Sequence, residues 1–382
     1  MIDRRTLFAA AALLALPFPA LAAPIRTQWE VGPSEGLDAV AFLGPLSGKA
    51  FYARHYEAEL AAFKPRLKLE ILEALASLHA EWDAADSLLW PSISVIFSGG
   101  STESLDAVID SLTRAESVLK PAYQASVYWD QADWDRLIAG RERLLTVLNA
   151  LGEAGFVDFR RGLVETTLAK RRVELGELLP KLDIIVEQER LLGRKLDPLI
   201  QIDLLWFCKP HGVKVQGQRF LTFVGARDQV VVLTAAHELL HPPFDMAGPT
   251  AKACLDVLGK DPLFTQILAE KDKGTGYNSL DGILNEDTAQ ALDQIIQERL
   301  GYVNKPAAER WSGGDQGMHV LAAGLYGLLR ADGYDRAGGN IADWMLAAVR
   351  SGKLSPDVLH PAAAKVLGKS ANTLWTTPAA KS

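Results

Sequence analysis

Three neighbouring stretches decide the reading of this chain: IQIDLLWF (200–207), VKVQGQRFLTFV (213–224) and QVVVLTAAHELLH (229–241). The first two are rich in β-branched and aromatic residues, and Cys208-Lys209-Pro210-His211-Gly212 separates them as a turn, so they predict two strands. The third keeps helical spacing until Pro242-Pro243 stops it, which predicts a helix over Gln229–His241. On that helix His237 and His241 lie four residues apart, so both imidazoles share a face and can point at a single ion. Glu238 stands beside the first of them, within reach of a water next to that ion. In a chain of 382 residues with 7 histidines, an HExxH pattern is expected by chance on the order of 0.01 times. The spacing is therefore read as a site. Thr234, Ala235, Ala236, Leu239 and Leu240 are uncharged, as a buried helix requires and a surface helix with two stray histidines does not.

Moving outward, Gly48 to Asp86 shows helical periodicity, broken into two helices at Pro65. Leu88–Phe97 (LLWPSISVIF) is apolar and β-branched and is closed by Ser98-Gly99-Gly100-Ser101, so it is assigned as a strand. Three or four helices follow between Ser104 and Leu179, one of them over Asp133–Leu151. Beyond the HExxH stretch, a helix is predicted from about Leu280 to Leu300, ended by Gly301, and three more from Gly317 to Leu367. No internal repeat or low-complexity run occurs. The class is helix-rich α+β, divided as residues 24–195 (mainly helical), 196–302 (sheet and HExxH helix) and 303–382 (helical).

Composition narrows the function. The chain is 48% apolar and carries a net charge of −7 without a long basic run, which excludes general attraction to nucleic acid. Residues 1–23 have the form of an export signal: Arg4-Arg5, an apolar stretch from Thr6 to Leu16, Pro17 and Pro19, then Ala20-Leu21-Ala22. The Arg-Arg pair before Thr6-Leu7-Phe8 resembles a bacterial twin-arginine signal, with an ordinary secretory signal as the other reading. Either implies a periplasmic or secreted protein with no stable membrane insertion after cleavage. In that oxidising setting Cys208 and Cys254 either form a disulfide or stay as two buried thiols.

The segment Thr234–His241 resembles the HExxH zinc metallopeptidases, the zincins, and among them the gluzincin type. HELLH followed by Pro-Pro-Phe, with a later glutamate, also looks like a group of exported bacterial proteins with metallopeptidase-like domains. The resemblance implies a zincin-like core, Zn2+ as cofactor, a peptide or protein substrate, and Glu238 as general base. The longer metzincin signature is excluded, because its glycine and third histidine fall on Phe244 and Ala247. A gluzincin takes its third ligand from a glutamate on a later helix. Glu286, preceded by Asn285, is the candidate; Glu270, Asp281 and His319 are the alternatives. The family's aspartate four residues after that glutamate, which orients the first histidine, is here Gln290, so Asp293 or Asp287 would take over that role. Three departures stand out: Pro242 directly after His241, a long gap from His241 to Glu286, and Gln290 itself.

Stepping 100° per residue, the apolar face of the later helix holds Leu284, Ala291, Leu292, Ile295, Ile296 and Leu300, with Glu286 just past its edge. The resemblance further implies a transition-state donor, for which His319, Tyr326 and Tyr277 are candidates. By analogy Val213–Val224 would be the edge strand that pairs with an extended substrate. His55, His79 and His360 read as packing residues, and Trp82, Trp90, Trp129 and Trp134 as core of the helical half. Two further classes stay open: an envelope-binding protein with a vestigial or structural zincin core, and a hydrolase of a non-peptide bond.

Overall fold

A computed structural model describes residues 24–210, 212–272 and 277–376. The expected signal at 1–23 lies outside the described residues, as do His211 of the predicted turn and 273–276 of the loop before Tyr277. Among the described residues the protein is helix-rich with one mixed four-stranded sheet, ordered β1-β2-β4-β3. The strands are β1 (Gln28–Pro33), β2 (Leu199–Leu205), β3 (Val213–Lys214) and β4 (Arg219–Phe223). β1 and β4 flank β2 in parallel, and β3 closes the far edge antiparallel to β4.

The expected single strand Val213–Val224 is instead a hairpin. Gly217, at φ 74°, supplies the left-handed residue of its turn, and the Val215 amide donates to the Arg219 carbonyl at 3.0 Å. The expected strand Leu88–Phe97 is a buried helix, Leu89–Phe97. Pro91 sits in its first turn, where a missing N–H costs nothing. A short, mostly apolar segment whose less buried side is only Pro91, Ser92 and Val95 does not separate buried helix from buried strand by its pattern. Four helices fill Leu105–Leu178, Pro65 lies in a short 3-10 turn between two helices, and Gly301 (φ 72°) ends the helix Leu280–Leu300. The tail holds three long helices between Val320 and Leu367 and the short Tyr334–Ala337. Among the described residues no helix is long and apolar enough to cross a membrane.

Three cores result, and they do not follow the three sequence segments. One lies in the N-terminal helices around Phe42, Phe63, Trp90 and Phe156, and it also takes in Phe207 and Leu221 of the sheet region. A second joins Leu284, Ile295 and Leu292 to Trp311, Leu321 and Leu359, so residues beyond 303 share a core with the helix Leu280–Leu300. Between them a third packs Ile200, Ile202 and Phe220 of the sheet against Val231, Val232, Ala235 and Leu239. Residues 24–195 contribute β1 to the same sheet. Cys208 and Cys254 sit in different cores as buried free thiols, so the disulfide is not formed.

The HExxH residues ride on the helix Asp228–Glu238. At 11 residues, with three consecutive valines, it is marginal on its own. Burial on both sides holds it. Val231, Val232 and Leu239 face the sheet, each contributing about 1.5–3 kcal/mol, while Ala236 and Leu240 face the Leu280–Leu300 helix. The helix ends three residues before the predicted His241. Leu240 and His241 close it with bonds back to His237 and Glu238, a tighter last turn, because Pro242 disfavours α geometry at His241.

Candidate metal centre

Taking Ala235 as the point facing the sheet, His237 and His241 come round to about 200–240° and emerge at the border of the Leu280–Leu300 helix. Despite the tightened turn they stay together, with Nε2 atoms 3.0 Å apart. Glu286 meets them from the facing helix: its Oε1 lies 3.5 Å from His237 Nε2 and its Oε2 lies 3.3 Å from His241 Nε2. These three side chains form the one group of its kind among the described residues. The alternatives Glu270 and Asp281 lie exposed, outside the group.

The partners of the outer ring nitrogens fix what the inner ones can do. His237 Nδ1 lies 2.7 Å from Asp293 Oδ2, and His241 Nδ1 lies 3.1 Å from Asn285 Oδ1. A carboxylate and an amide oxygen only accept, so both Nδ1 atoms donate, and in the neutral rings both Nε2 atoms carry the lone pair a cation needs. The two Nε2 atoms and the Glu286 carboxylate then converge, one oxygen 3.5 Å from His237 and the other 3.3 Å from His241. Without an ion a proton on His237 holds the group together; a shared cation can take that proton's place. Bonds of about 2.0–2.1 Å to a tetrahedral ion place ligand atoms roughly 3.3 Å apart, which these separations match.

Charge in the site favours a cation. Burial disfavours His237 as imidazolium, but Glu286 and Asp293 outweigh it and lift its pKa well above the ordinary value. Burial likewise raises Glu286, yet the two histidines hold it well below the usual carboxylate range. Asp293 is lowered against burial by Arg310 and His237. Glu238, chiefly through burial, is raised, which moves a prospective base towards neutral pH. On the helix wheel Glu238 lies past His241, turned away from Glu286. It feels Lys214 of β3, and its charge reaches Tyr128, whose buried hydroxyl has no hydrogen-bond partner among the described residues.

The Leu280–Leu300 helix explains the precision of Glu286. Glu286, Gln290, Asp293 and Gln297 follow steps of four, three and four, one stripe on one face, and every member is buried. Such a stripe is tolerable only when fully bonded. Gln290 donates to Glu286 Oε1 at 2.8 Å and accepts from Trp311 Nε1 at 2.7 Å. Asp293 accepts from Arg310 Nη2 at 2.9 Å, from Gln297 at 2.9 Å and from His237. So Gln290 orients the glutamate, while Asp293, seven residues on and back on the same face, orients His237. Asp287 does neither; it accepts from His319 Nδ1 at 2.6 Å and from the Ala322 amide.

The three candidate donors separate. His319 is held between Asp287 and Asp315, at 2.6 and 3.0 Å, so both ring nitrogens are engaged. Burial opposes its charge, but Asp287 above all raises its pKa to about 10. It is neither a ligand nor a free donor. The Tyr326 hydroxyl bonds Glu298 and Arg330, away from the histidines, and is not part of the site. Tyr277 remains: burial of its hydroxyl and then the charges of Glu286 and Glu238 raise its pKa, so its hydroxyl lies in the field of both carboxylates. Arg310, Lys214 and Tyr128 were not read from the sequence. Each reaches the site only through tertiary packing, and no local pattern marks them. The sheet's other face carries an open hollow of about 340 Å3 beside Glu30, Asp203 and Arg219, where Arg219 is already held by Asp203 and Thr102.

Comparisons with protein-family models, curated proteins and solved structures find no match to this chain.

Proposed function

We propose that this protein is an exported zinc-dependent metallopeptidase with a zincin-like core of the gluzincin type. The observation that carries the reading is the convergence of His237 Nε2, His241 Nε2 and the Glu286 carboxylate on one point. The packing supports it too: a small mixed sheet, the HExxH helix across it, and the Glu286 helix on the opposite side. His237, His241 and Glu286 would hold the zinc. When bound, the ion supplies a Lewis acid that acidifies water and polarises a carbonyl. Among the described residues the donor group stops at three, the number that leaves a position open for chemistry.

Glu238 is the general base: it takes a proton from the attacking water and passes it to the leaving amine. Tyr277, poised beside Glu286 and Glu238, donates to the oxygen on which charge develops. Asp293 and Asn285 hold the two imidazoles in the tautomer that leaves Nε2 bare.

Elemental analysis of the purified mature chain is expected to find about one zinc per chain, lost in Glu286→Ala. Glu238→Gln keeps the metal and hydrolyses a peptide pool about 10²–10⁴-fold more slowly. A wild-type chain that holds no zinc in excess metal would refute the reading.

A further inference from the structure

At the rim of this centre two cations hang on consecutive carbonyls. Lys214 Nζ, on the edge strand β3, donates to the His241 carbonyl at 2.8 Å. Arg194 Nη2, in the turn after the helix Ile184–Leu192, donates to the Pro242 carbonyl at 2.9 Å. Among the described residues neither makes an ion pair, although their neighbours do: Lys195 with Glu189, Arg190 with Glu187. Their head groups sit on neighbouring carbonyls of one turn, those of His241 and Pro242. Glu238 acts on Lys214 through its charge, but no anion pairs with either head group among the described residues, and one joining the two would offset their repulsion. Both retain donors: the ammonium uses one of three N–H groups on its carbonyl, and the guanidinium one of five. Arg310 is already set against Asp293, and Glu238 must stay free to move a proton. Lys214 and Arg194 are left over, in a chain that is otherwise acidic.

We propose that Lys214 and Arg194 form a carboxylate-binding subsite beside His241, so that the peptide taken into the cleft carries a carboxylate there. Its source is either the peptide's own C-terminus or an aspartate or glutamate side chain. The carbonyl anchors fix both head groups before binding, which lowers the ordering cost, and the guanidinium fork suits a carboxylate. The proposal rests on the peptidase reading for the nature of its ligand, but its test does not need turnover.

The mature Glu238→Gln chain, in zinc buffer, is titrated by fluorescence anisotropy with three labelled pentapeptide pools built from neutral residues. One pool has a free C-terminal acid, one is amidated, and one is amidated with a single glutamate. The expected result is that an anionic pool binds about tenfold tighter than the neutral amide, and which pool wins identifies the source. Combining Lys214→Met with Arg194→Met makes the three pools bind alike, while Lys214→Arg keeps the preference. Arg194→Gln alone, an exposed position, reduces the preference and serves if the double variant does not fold. Equal affinity for all pools, no detectable binding, or a preference that survives the double variant overturns the subsite. The two readings fail separately. A carboxylate preference in a chain without zinc leaves the subsite and removes the peptidase; zinc and turnover without the preference do the reverse.

Discussion

Two buried aspartate–arginine pairs, one in each half of the molecule, do different work with the same chemistry. Asp38 accepts from Arg160 Nε at 2.6 Å and from the amides of Trp206 and Phe207 at 2.9 and 2.8 Å. Asp293 accepts from Arg310 and from the His237 ring. Both carboxylates are fully buried. Burial dominates at Asp38 and raises its pKa despite Arg160; at Asp293 the charge of Arg310 and the imidazole prevail and lower it. The first pair ends in backbone and ties the end of β2 to the N-terminal helices. The second ends in a side chain whose far nitrogen is one of the three proposed metal donors. A buried ion pair is thus a staple where its remaining lone pairs meet the main chain, and an alignment device where they meet a ligand.

Cutting the pairs tests that contrast. Asp38→Ala leaves Arg160 uncompensated and two amides without an acceptor, so a loss of about 3–5 kcal/mol is expected. Urea titration of chelator-treated protein measures it, and the metal affinity of the folded fraction should not move. A parallel loss of affinity would break the contrast. Next in size, Asp293→Asn lowers metal affinity by about 10–100-fold, read by competition with a chelator of known strength. It also destabilises the chain, because Arg310 loses its counter-charge; the affinity loss is what Asp38→Ala lacks. Asn285→Ala removes a neutral acceptor from His241, and an affinity loss of roughly 2–10-fold sharpens the difference between charged and neutral alignment. Tyr326→Phe is the smallest change: metal content and hydrolysis stay at wild-type levels, because its hydroxyl serves Glu298 and Arg330. A tenfold fall in hydrolysis there would return Tyr326 to the site.

How much of this was legible in the sequence depends on the distance over which each contact acts. His237, Glu238 and His241 are brought together by one helical turn, so spacing alone identified them. Glu286 was named from the resemblance alone; the long, cleanly capped helix from Ser279 to Gly301 made its setting legible but not its role. The role of Asp293 was half legible: a residue seven further on returns to the same face. What the wheel could not tell is that the polar stripe beside the apolar face is buried too, since burial of the second face depends on Trp311 and Arg310 arriving from elsewhere. Leu89–Phe97 was misread because its less buried side, Pro91, Ser92 and Val95, is too small and apolar to mark a helical period. Gln28–Pro33 was assigned no element at all, as six residues with one proline at the end carry little strand signal. Their pairing partner lies far along the chain.

That last pairing has a consequence for the order in which the molecule assembles. Gln28 meets Leu199 in register and Pro33 meets Leu204, and the whole N-terminal helical bundle lies in the loop between them. Closing so long a loop is entropically expensive and slow, whereas each helical half can gather through contacts close in sequence. The floor beneath the HExxH helix should therefore be laid late, after the walls are standing. Pulsed hydrogen exchange during refolding would show the β2 amides protected after those of the Gln131–Glu153 helix, and the reverse order would mean that the first strand waits, already docked, for the bundle to fold around it.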